Sequence, residues 1–143
     1  MNSERKATTI LQDMKVDVKL KLAALWGAVM FSYVYNDIID FYRLGELEHI
    51  IAGYMGPYPV TQVGLLTAMI LMTIPILMVF LPLALPAKAN RWTNIIVGIL
   101  YILVAIGNVI GESWVFYIFG NVVQVVFLIL IVGYAWKWPK QEA

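Results

Sequence analysis

Four apolar stretches account for most of this chain, each close to the roughly 20 residues a helix needs to cross the hydrocarbon core of a bilayer. They fall at about 20–42, 60–83, 92–111 and 114–136. A soluble fold of 143 residues keeps too much surface to hide them. The chain is 62% apolar and 13% charged, against about 45–50% and about 25% in soluble domains. These figures exclude a soluble globular protein, a disordered chain and a nucleic-acid module. The expected fold is all-α: a polytopic membrane protein built as a four-transmembrane-helix bundle, with the lipid bilayer as its first partner. Residues 1–13 read as a polar N-terminal tail, 14–138 as the transmembrane domain and 139–143 as a C-terminal tail. The last two spans are joined by little more than Gly111-Glu112-Ser113, which requires an antiparallel hairpin.

Charge sets the expected orientation. Of the ten Lys and Arg, only Arg43 falls between spans one and two or between three and four; the rest precede span one, follow span four, or lie at Lys88 and Arg91. The positive-inside rule then puts both termini in the cytoplasm, in a multi-pass protein of the cell membrane. Asp37, Asp40, Glu46, Glu48 and Glu112 fall toward the outer side. Trp92, Trp136 and Trp138 mark inner span ends, and Trp114 and Tyr58 outer ones. Val16 to Leu22 alternates with period two, as a strand would, but an open strand edge cannot enter lipid; Lys19 and Lys21 snorkel from a helix instead. The long basic lead-in and the two Asp near its end make span one a retained helix rather than a signal peptide.

Polar residues recur at helical spacing inside the spans. Tyr33, Asn36, Asp37 and Asp40 share one face of span one. Asn94, Tyr101 and Asn108 repeat along span three, with Glu112 extending that face. Tyr117, Asn121 and Gln124 line span four, and Gln62 and Thr73 give span two a thinner row. From Lys21 to Asp37, and from Trp92 to Asn108, is about 24 Å of helix; Asn121 lies about 10 Å in from the outer end. Asn36, Asp37, Asn108, Glu112, Asn121 and Gln62 therefore fall at one level, as a polar pocket near the outer side. An Asp at the bilayer centre costs about 2.5–3.5 kcal/mol, and a dozen apolar residues returning about 0.3–0.6 each offset it. Arg43 is one turn from Asp40 and pairs with it. Asp37 has no cation within reach on its own helix, which makes it the first candidate for a proton- or cation-binding carboxylate. Asn94, Tyr101 and Gln124 also suit plain helix-to-helix hydrogen bonding.

Between spans one and two, Leu47, Ile50, Ile51 and Tyr54 make one apolar face of a short interfacial helix, with Glu46, Glu48 and His49 turned away from it. Gly53, Gly56, Pro57 and Pro59 end it. Small residues form rows at Ala24-Ala28-Ser32, Gly64-Ala68 and Gly107-Gly111, which permit close helix approach and leave a homo-oligomer open. Pro75 should kink span two near Leu71. With no Cys and a single His, disulfides, iron–sulfur clusters and multi-histidine metal sites are excluded; no metal or other cofactor is expected.

The segments Met14–Leu22, Ala52-Gly-Tyr-Met-Gly56, Ala89–Ile96 and Tyr134-Ala-Trp-Lys-Trp138 resemble a family of small four-helix prokaryotic membrane proteins of unknown function. The resemblance spans Met14 to Trp138 and implies a four-span bundle in a bacterial cytoplasmic membrane. It supplies neither activity nor catalytic residues. A likeness to DoxX-type proteins rests on architecture alone, which does not carry function.

Three functions fit these residues. The first is a non-catalytic binding protein holding a small amphiphilic ligand, a lipid or a partner membrane protein at the acidic pocket, with Tyr33, Asn36, Asp37, Asp40, Asn108, Glu112, Asn121 and Gln124 as its candidate residues. The second is a proton-coupled carrier of lipophilic cations centred on Asp37; the one-sided Lys/Arg bias and the off-centre acid weigh against it. The third is an intramembrane enzyme acting on a lipid or isoprenoid, with Asp37 and Glu112 as its acid–base pair.

Overall fold

A computed structural model describes residues 11–140. Four long helices carry the fold: α1 (Val18–Asp40), α3 (Gln62–Ala84), α4 (Ala87–Val109) and α5 (Val115–Trp136). All four are long and apolar enough to cross a membrane. A short helix α2 (Glu46–Ile51) and a two-stranded hairpin, β1 (Tyr54–Met55) and β2 (Tyr58–Pro59), lie between α1 and α3. Around the bundle the order is α3, α1, α5, α4, and α3 meets α4 over much less backbone than the other neighbours do.

Boundaries follow local chemistry. Asp17 caps α1 by accepting the Lys19 N–H at 2.7 Å, and Thr61 caps α3 through the Gly64 N–H at 3.0 Å. The segment that alternates with period two is thus helical from Val18 on. The third span starts earlier than hydropathy places it, at Ala87 directly after Pro86, so Lys88 and Arg91 sit in the first turns of α4. The 1–13 tail and the 139–143 tail fall mostly outside the described residues.

Leu22, Trp26, Val29, Tyr33, Met78, Tyr101, Leu128 and Ile131 form the core. Trp26 and Tyr101 meet edge to face at 6.4 Å. A chain of fully enclosed amides crosses the half of the bundle nearer the termini. Trp26 Nε1 donates to Asn94 Oδ1 at 2.8 Å, Asn94 Nδ2 donates to Asn90 Oδ1 at 2.7 Å, and Asn90 Nδ2 donates to the Pro82 carbonyl at 2.5 Å. That carbonyl has no helical donor, since the residue four further on is Pro86. Pro75 likewise orphans the Leu71 carbonyl, and the Tyr101 hydroxyl donates to it. Asn90 and Tyr101 are as far apart on α4 as Pro82 and Leu71 are on α3, so both bonds belong to one antiparallel register.

The closest glycine contacts between helices lie outside the Gly107–Gly111 row. Gly107 has open space around it, and Gly111, at φ 83°, ends α4 in a left-handed turn rather than packing. The tight contacts are at Gly98, where an added Cβ would meet Val132 Cγ2 at 2.7 Å, and at Gly120, where it would meet Asn36 Oδ1 at 2.2 Å.

Candidate functional site

At the loop end of the bundle, opposite the termini, a half-open cavity of about 1300 Å³ lies between the helix ends and the α2–hairpin segment. Asp37 and Asp40 of α1, Leu65 of α3, Asn108 of α4 and Tyr117 of α5 are on its wall, with Arg43 and Glu112 from the connections. The hairpin roof is locally determined. Gly53 and Gly56 take positive φ, and Gly56-Pro57 closes the tight turn. His49 Nε2 lies 2.8 Å from the Gly56 carbonyl, which only accepts, so Nε2 carries the proton; its ring stacks on Tyr54 at 4.9 Å. The apolar face read from sequence stops at Ile51, since Tyr54 belongs to β1. Glu46 and His49, expected to turn away, line the cavity together with Ile50.

Charge is unevenly compensated here. Asp37, Asp40, Glu46 and Glu112 face one permanent cation, Arg43. Arg43 Nη1 is 3.3 Å from Asp40 and 3.1 Å from Glu112, and its guanidinium stacks over Trp114 at 5.3 Å. Glu112 Oε1 also accepts the Trp114 and Ser113 N–H groups at 2.9 and 2.7 Å. The Trp114 bond first, then Ser113 and Arg43, hold its carboxyl below the usual carboxylate range against the opposing effect of desolvation. Asp37 is different. Among the described residues neither an ion pair nor a side-chain hydrogen bond reaches its carboxylate.

One helical turn below the wall, the polar rows enter the bundle. Tyr33 and Asn36 are each 8% exposed, Asn121 2% and Gln124 1%. Asn36 rests on Gly120, which fixes the register of α1 against antiparallel α5 and brings Tyr33 level with Asn121 and Gln124. The Tyr33 hydroxyl and the side-chain oxygens of Asn121 and Gln124 are enclosed without a partner. Asn121 Nδ2 is already committed to the Tyr117 carbonyl at 2.9 Å, so its orphan is the acceptor oxygen.

The candidates thus divide. Asp37, Asp40, Asn108 and Glu112 share the cavity wall. Tyr33, Asn36, Asn121 and Gln124 lie beneath it. Asn94 and Tyr101 join helices elsewhere. Gln62 is exposed and off the wall, and Thr67 and Thr73 bond to carbonyls of their own helix. Sequence reasoning passed over Gly120, whose signal was a residue without a side chain one turn before Gln124 on the same face. It also passed over the span from Arg43 to Glu112, for which one-dimensional spacing holds no signal.

No group of three or more His, Cys, Asp or Glu among the described residues is arranged to hold a metal ion. No curated protein and no solved structure matches the chain. Residues 11–143 match a family of unknown function, DUF6326, and the four apolar helices and their loop-end cavity are therefore those of a member of that family.

Proposed function

We propose that this chain is a non-catalytic membrane binding protein whose loop-end cavity takes a small cationic amphiphile, with Asp37 as the counter-charge. The observation that carries this reading is the unpaired carboxylate of Asp37 on a cavity wall where Arg43 already occupies Asp40 and Glu112. A carboxylate in that position gains most from an incoming cation, and a charge-assisted contact is worth about 1.5–3 kcal/mol. Phe41, Tyr54, Tyr58 and Leu65 supply apolar and aromatic wall for the body of such a ligand. The acid–base pairing of Asp37 with Glu112 is disfavoured, because the Glu112 oxygens are taken up by Arg43 and two backbone N–H groups.

Titration of the detergent-purified protein with tetraphenylphosphonium tests the proposal. Saturable binding, weakened about tenfold or more by Asp37→Asn, is expected from the loss of one charge-assisted contact. Absence of saturable binding, or equal affinity in the variant, would overturn it. Proton flux driven by the same cation in proteoliposomes, abolished in the variant, would convert the binding protein into a carrier.

A further inference from the structure

The opposite end of the bundle holds a second, smaller cavity of about 270 Å³, lined by Lys88, Arg91, Trp92, Trp136, Trp138 and Lys140 among others, with no acidic residue on its wall among the described residues. Two other cations at this end have partners: Lys19 Nζ donates to the Leu85 carbonyl at 2.8 Å, and Lys21 lies over the Tyr134 ring at 5.3 Å. Among the described residues, none of the three cations of the cavity makes an ion pair. Arg91 is held on two sides, with its guanidinium carbon 5.6 Å from the Trp92 ring and 5.8 Å from the Trp136 ring. Its Nε is enclosed and has no hydrogen-bond partner.

The helix start aggravates the imbalance. α4 begins after Pro86, which offers no side-chain cap, and its first turn contains no acid. Lys88 and Arg91 therefore sit at the positive pole of the helix, where a cation is unfavourable and an anion is stabilised. Arg91, with one unused donor, and Lys88 and Lys140 line one small space beside the indole rings at the start of α4. A tetrahedral oxyanion answers all of them at once.

We propose that this cavity binds a phosphate-bearing anion, either the headgroup of an anionic phospholipid or free phosphate, gripped by Arg91 with Lys88 and Lys140 beside it. The site lies at the other end of the molecule from Asp37, so its test is independent of the loop-end cavity. The experiment is a lipid titration of the purified protein in dodecyl maltoside, followed by native mass spectrometry. The probes are phosphatidylglycerol and, as the phosphate-free control, diacylglycerol of the same chains. Saturable phosphatidylglycerol binding is expected, with little diacylglycerol binding. Arg91→Gln should weaken it about tenfold. The Lys88→Gln/Lys140→Gln double variant gives an independent reading if Arg91→Gln folds poorly. Competition by millimolar inorganic phosphate would make free phosphate the source; its absence would make it the lipid headgroup. Equal binding of diacylglycerol, or unchanged phosphatidylglycerol affinity in the folded variants, would overturn the proposal.

Discussion

Glu112 gathers donors from three places: the N–H groups of Ser113 and Trp114 on one oxygen and the Arg43 guanidinium on the other. All three favour its charged form. A carboxylate held below its ordinary value of 4.5 in the folded protein contributes stability above that pH, and loses it as the pH falls through the lowered folded value. Thermal unfolding of the detergent-solubilised protein should therefore show Tm dropping as pH is lowered beneath 4.5, with a shallower drop in Glu112→Gln. An unchanged slope in the variant would remove Glu112 from that role. At this scale the sequence was half legible. The Asp40–Arg43 pair follows from one helical turn of spacing. The Arg43–Glu112 pair does not, because nothing along the chain says that the end of α1 and the end of α4 share one corner. The unpaired state of Asp37 has two parts for the same reason: the lack of a cation within reach on its own helix was readable, and the lack of one pairing with it from a neighbouring element was a matter of packing.

Pro75 shows the same division for an element. Its position in the second span was plain, and so was the carbonyl it leaves unpaired at Leu71. α3 is assigned as one helix from Gln62 to Ala84 across this position, and the Tyr101 hydroxyl donates to that carbonyl from α4. Tyr101→Phe should lower stability by about 0.6–1.7 kcal/mol, the range of side-chain hydrogen bonds between membrane helices. In a Pro75→Ala background the restored helix N–H takes over the Leu71 carbonyl, and the same Tyr101→Phe change should cost much less. A double-mutant cycle in a denaturing detergent titration reads the difference directly; equal costs in both backgrounds would mean that Tyr101 acts through packing against Trp26 alone. The α2–hairpin segment is an element the sequence described only in part. The helix was visible as an apolar face, whereas the two-residue strands are too short for period two to register, and Gly56-Pro57 read as a breaker before it could be seen as a turn.

For the whole molecule, the positive-inside reading puts the Asp37 cavity on the far side of the membrane from the termini and the Arg91 cavity on the cytoplasmic side. The chain has no cysteine, so single-cysteine substitutions report topology without background. In intact cells an impermeant thiol reagent should label Glu48→Cys, in the exposed α2, and spare Lys140→Cys; the reverse pattern would invert the orientation. Number of spans and their approximate limits are properties of composition along one dimension, because the bilayer sorts each segment by its own hydropathy. Those the sequence determined unaided. Which polar groups end up paired is a different kind of quantity, since it depends on residues from separate helices reaching the same point. Only the tertiary structure decided that Asn90 and Asn94 tie helices together, that Gly120 makes room for Asn36, and that Arg43 serves Asp40 and Glu112 while leaving Asp37 open to the cavity. The physical reason is that α1, α3, α4 and α5 are mostly apolar along their exposed faces, so hydropathy places each helix in the membrane without specifying its neighbours; the specification comes from the few buried hydrogen bonds and close contacts between them.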